Sequence, residues 1–95
     1  MSRPDEIKVN VAEAKSAEQL HSMLYHALNF PDYYGANWNA FWDVITAADV
    51  MPERLVLRGW PELEAKLPRE ARLMRKCLND YYAERPDQPC RVMYA

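Results

Sequence analysis

Glycine is scarce in this chain, and basic residues are missing from its whole central stretch. Only Gly35 and Gly59 occur among 95 residues, so there is no glycine-rich loop to cradle a phosphate. The two cysteines, Cys77 and Cys90, have neither CxxC spacing nor a histidine cluster beside them. That argues against a zinc site and a disulfide framework, and free, partly buried thiols in a reducing compartment are expected. No apolar run approaches the roughly 20 residues of a membrane span. The N-terminus, MSRPDEIKVNV, carries charges where a secretory signal would be apolar. A cytoplasmic protein with no membrane contact is therefore expected.

The usual chemical constellations are lacking as well. No serine or cysteine stands in a nucleophile elbow, and the scattered carboxylates form no recognisable acid–base pair. His21 and His26 are five residues apart on a predicted helix, whereas helical zinc pairs usually sit four apart. Both are expected at the surface or its boundary. Neither an enzyme nor a bound cofactor or metal is indicated.

From Ser16 to Glu53 there is not one Lys or Arg, while Glu18, Asp32, Asp43, Asp49 and Glu53 are acidic. From Arg54 onward basic residues outnumber acidic ones, nine to six. An asymmetry of this kind suits a partner selected by electrostatics. Arg69, Arg72, Arg75 and Lys76 could form a phosphate-binding stripe, but Glu70, Asp80 and Glu84 interrupt it. A solvated helix face is the expectation there, with no direct contact to nucleic acid.

The periodicities give a single domain over 1–95. Ile7 to Val11 alternates apolar and polar, as a half-buried strand does. Ser16-Ala17-Glu18-Gln19 is a capping box that opens a helix with Leu20, Leu24, Ala27 and Leu28 on one face. Asn29-Phe30-Pro31 closes it, and Gly35 is suited to a positive φ in the turn that follows. Trp38, Phe41, Trp42 and Ile45 form the apolar stripe of a second helix from Asn37 to about Thr46. Leu55-Val56-Leu57 is a buried strand, broken by Gly59-Trp60-Pro61. A helix from about Arg69 to Glu84, turned inward at Leu73, Met74, Cys77, Leu78 and Tyr81, precedes a last strand from Cys90 to Tyr94. The order β-α-α-β-α-β implies an α/β fold: a three-stranded parallel sheet in two layers, with the helices packed on one side.

The second helix also has a polar face. Asn39, Asp43 and Thr46 fall at i, i+4 and i+7, opposite the aromatics and behind Tyr33 and Tyr34. Tyrosines beside a fixed carboxylate, with no competing cation, have the composition of an interface hot spot. A solvated face would have the same composition.

Pro31-Asp32-Tyr33-Tyr34-Gly35-Ala36-Asn37, followed by Ala40, Trp42-Asp43 and Thr46, resembles the signature segment of the barstar family of ribonuclease inhibitors. The element order over almost the whole chain is similar too. The resemblance implies a barstar-like fold. It also implies a 1:1 complex of a monomer with an extracellular-type ribonuclease or related basic toxin domain, whose active site receives the second helix and the preceding loop. Asp43 would be the central carboxylate and Tyr33 an aromatic packed on the catalytic region. Tyr34, Gly35, Asn37, Trp38, Asn39, Trp42 and Thr46 would be further contacts, with Asp80 a peripheral one.

The segment departs from the family pattern in places. Asn39 replaces an aspartate, Trp38 an aliphatic residue, and Ala47-Ala48 a glycine and an aromatic. Asp80 also stands four residues after Lys76, so an intrahelical salt bridge competes with an interface role. These changes bear on which partner is bound. An immunity protein against another toxin, or a non-inhibitory adaptor using the same helix, stays open beside the ribonuclease inhibitor.

Overall fold

Three parallel strands lie side by side in the order β1-β2-β3: β1 is Glu6–Asn10, β2 Arg54–Arg58 and β3 Arg91–Tyr94. The structure, a computed structural model, describes residues 4–32 and 34–95. The register aligns Ile7, Leu55 and Val92 in one cross-strand row and Val9, Leu57 and Tyr94 in the next. These rows form the covered face, with Val9, Leu55 and Leu57 buried. The intervening residues Glu6, Lys8, Arg54, Arg58, Arg91 and Met93 lie on the open face. One covered face and one open face are what right-handed crossovers between neighbouring strands produce. The expected two-layer architecture is the one observed.

The first crossover carries α1 (Ala17–Ala27) and α2 (Trp38–Ala47). Ser16 caps α1, its hydroxyl accepting from the Gln19 amide at 3.1 Å. The helix ends earlier than the proline rule predicts. Asn29 takes a left-handed φ of 54°, and the Phe30 amide returns to the Tyr25 carbonyl at 3.0 Å. This closing bond belongs to the C-cap motif in which Asn is tolerated because its short side chain crowds the turn little.

In the following turn the positive φ falls on Ala36 (49°) and not on Gly35, which corrects the sequence expectation. The cause is Asn37. Its Oδ1 accepts from the Ala40 amide at 2.8 Å, and its Nδ2 donates to the Gly35 carbonyl at 3.0 Å. Capping α2 in this way fixes the residue immediately before the cap.

The second crossover holds an element that the sequence reading missed. Gly59-Trp60-Pro61 does not merely break β2: it opens α3 (Trp60–Lys66), with proline in the first turn, where its missing N–H has no helical partner to lose. Gly59 has φ 73°, and a Cβ there would stand 2.5 Å from the Ala12 Cβ. Helix α4 (Pro68–Glu84) follows and ends before Pro86 as expected.

Phe41, Val44 and Ile45 of α2 meet Met74, Leu78 and Tyr81 of α4 in the core, above Leu55 and Leu57. Removing a ring as large as Phe41 from such a core costs about 3–5 kcal/mol. Cys77 is half-buried and Cys90 buried, and both are free thiols.

Candidate functional site

Helix α2 is fastened to α4 at both ends. At its start the Trp38 Nε1–H donates to Glu70 Oε1 at 2.9 Å. At its end Arg85 donates to the Thr46 carbonyl at 2.7 Å and to Asp49 at 3.0 Å. Arg85 is held fully charged, first by its bond to Asp87 and then by Asp49. A cation on the last carbonyls of a helix also complements the negative end of its dipole. These bonds tie both ends of α2 to α4 and to Arg85, the residue that ends α4.

The expected site residues divide by what their side chains already do. Asn39 and Asp43 are exposed, and neither side chain has a hydrogen-bond or ionic partner among the described residues. The Thr46 hydroxyl is engaged, donating to the Trp42 carbonyl at 2.7 Å. Asn37 is engaged as the cap of α2, and Gly35 is exposed in the turn beneath it. Trp38, Asn39 and Trp42 line a groove of about 280 Å³ against Leu73, Cys77 and Asp80 of α4. Asp80 forms the helical salt bridge with Lys76, at 2.7 Å, in the open on the rim of that groove. The competing intrahelical salt bridge is therefore formed. Burial pushes the Cys77 thiol up, with Asp80 adding to the effect. Tyr33 lies outside the described residues.

Tyr34, expected among the partner contacts, makes contacts within the fold. It is half-buried, packed edge-on against Phe30 with 4.9 Å between ring centroids, and its hydroxyl hydrogen-bonds His21 Nδ1. Burial drives its ionisation well above the ordinary tyrosine value. His21 corrects a second expectation, since it is 2% exposed and not a surface group. It lies under the Trp38 ring, 4.3 Å between centroids. Burial lowers its pKa, and nearby Glu70 offsets part of that effect. The missed signal was its spacing three residues before Leu24, on the buried side of α1. Glu70 and Arg85 gave no local signal, because their partners are 32 and 39 residues away in sequence.

Helix α2 thus carries one exposed carboxylate, Asp43, over buried Phe41 and Ile45, beside a three-stranded parallel sheet. The family model described as "Barstar (barnase inhibitor)" matches residues 5–95. The chain belongs to the barstar family. A Bacillus subtilis (strain 168) protein, named "Putative ribonuclease inhibitor YrdF", is 39% identical over 54 residues, which are 57% of this chain and 59% of that protein. The chain thus matches less than two thirds of that relative's length. The groove between α2 and α4 adjoins the exposed face of α2. Among the described residues, no helix is long and apolar enough to cross a membrane, and no cluster of three or more metal-ligating side chains occurs.

Proposed function

We propose that this chain is an antitoxin or immunity protein that inhibits a barnase-like ribonuclease in the cytoplasm. In this reading it forms a 1:1 complex with the enzyme and plugs its basic active site with α2 and the loop before it. The observation that carries the reading is the Asp43 carboxylate. It is exposed, without a partner among the described residues, on a helix bound to α4 at both ends and within a segment free of Lys and Arg.

A ribonuclease active site is basic because it must hold RNA phosphates, and the same charge attracts an acidic plug. Opposite potentials speed association, and a desolvated carboxylate bonded to Arg or Lys is a strong contact. The barnase–barstar pair is itself the reference case for hot-spot carboxylates and electrostatic steering. A helix whose geometry is fixed before binding also has less ordering cost to meet on association.

The test is suppression of RNA cleavage by a panel of small microbial ribonucleases, at low and physiological salt, with Asp43→Ala alongside. Stoichiometric suppression that weakens with salt and collapses in the variant supports the plug. Inhibition that survives Asp43→Ala unchanged refutes it.

A further inference from the structure

A hollow of about 480 Å³ opens where the N-terminal ends of α1 and α2 meet the first turns of α4. Glu18 and His21 from α1, Trp38 and Asn39 from α2, and Arg69 and Glu70 from α4 are among its lining. Asn39 shares its helix face with Asp43, one turn away, so the hollow continues the face proposed above for partner contact.

Charge is the first constraint on an occupant. Glu18 is exposed and has no ionic partner among the described residues. Glu70 Oε2 pairs with Arg69 at 3.2 Å, but Arg69 is 70% exposed, so this is the weak, solvent-screened kind of pair. With His21 neutral, the charged lining is the carboxylates of Glu18 and Glu70 against the guanidinium of Arg69, an excess of one negative charge, which disfavours a carboxylate or phosphate.

Aromatic character is the second. The Trp38 N–H is committed to Glu70, while Trp38 lines the wall beside the His21 ring, 4.3 Å between centroids. An aromatic face with carboxylates at its edge attracts cations, and a planar guanidinium stacks on it better than a compact ammonium does.

The third observation is independent of both. His21 is 2% exposed, yet it reaches the hollow, and its Nε2 has no hydrogen-bond partner among the described residues. A donor in the hollow selects the tautomer in which Nδ1–H donates to the Tyr34 oxygen, leaving Nε2 as an acceptor.

We infer that this hollow is a second recognition subsite, which takes the guanidinium of an arginine on the partner's surface between Glu18 and Glu70 and against Trp38. That the arginine belongs to a ribonuclease rests on the proposed function. The guanidinium preference itself rests only on this chain's residues.

The test uses isotope-labelled protein titrated with N-acetyl-arginine N-methylamide, and in parallel with the capped citrulline that matches its shape without its charge. The Trp38 indole N–H and the His21 ring resonances are followed by NMR. The expected result is a saturable shift with arginine, at least about fivefold weaker with citrulline, and a similar loss in Glu18→Gln/Glu70→Gln. Glutamine at position 70 still accepts from the Trp38 indole, so the double variant reads charge and not loss of the α2–α4 contact. Equal responses to the two ligands, no saturable shift, or an unchanged response in the double variant would each overturn the subsite. If a ribonuclease is inhibited with the same affinity by the double variant, the subsite fails and the inhibitor function stands. An arginine response in a protein that inhibits no ribonuclease supports the subsite and removes the support for the inhibitor function.

Discussion

The indole nitrogen of Trp38 donates to a carboxylate oxygen of Glu70, 32 residues further along the chain, at 2.9 Å. This bond joins the first turn of α2 to the first turn of α4, and Glu70 is only 14% exposed at its side chain. An acidic residue in the first turn of α4 is also favoured by that helix's dipole. Glu70→Ala is expected to lower stability by about 1–2 kcal/mol, since it removes a part-buried acceptor and leaves the indole N–H unpaired. Hydrogen exchange should quicken in the first turn of α2 more than elsewhere, and Glu70→Gln should restore most of the protection. Uniform loss of protection in both variants would contradict the local role.

His21 gives the fold a pH dependence with a definite sign. Burial holds its folded-state pKa below the unfolded value of about 6.5. Below that pH the unfolded chain binds a proton that the folded chain does not accept. Stability is therefore fully present above about pH 6.5 and is lost as pH falls toward the folded-state value. Urea midpoints measured between pH 7.5 and 5 should fall in the natural protein and change less in His21→Phe.

Asp43→Ala should separate binding from folding. Because the carboxylate has no partner among the described residues, its removal should change stability by no more than about 0.5 kcal/mol. Affinity for an inhibited ribonuclease should fall by more than about 2 kcal/mol, roughly 30-fold. Thermal melts and inhibition titrations on the same preparations check both halves. A large loss of stability would mean that Asp43 acts within the fold.

Gly59→Ala is expected to destabilise the protein clearly. The left-handed backbone alone costs an alanine about 1–2 kcal/mol, and the new Cβ would meet the Ala12 Cβ at 2.5 Å, a clash that adds to it. Gly35→Ala is the control. No left-handed φ is needed there, and the nearest atoms would be 3.4 and 3.6 Å away. Equal melting temperatures for the two variants would refute this difference.

Local patterns in the sequence carried much of the fold. Alternation at Ile7–Val11, the stripe of Phe41 and Ile45, and the inward run of Met74, Leu78 and Tyr81 all depend on periods of two and 3.6, which the backbone imposes wherever one face is buried. The Tyr-Tyr-Gly turn and the Trp-Asp pair were legible as a family signature. Helix α3 was missed because Gly-Trp-Pro reads as a breaker until a helix N-terminus is placed on it. The positive φ was assigned to Gly35 because glycine is the residue that adopts it most easily, whereas the Asn37 cap moves it to Ala36.

The strands, the main helices, the acidic stretch without Lys or Arg, and the exposed polar face of α2 were legible locally, since each follows from neighbours within a few turns. Folding in three dimensions turned Tyr34 in to a buried His21 and brought Glu70 and Arg85 to the two ends of α2. It also decided that Asp80 sits on a groove with Trp38 and Trp42. These contacts span tens of residues, and their energies depend on distance and burial, which no local pattern encodes.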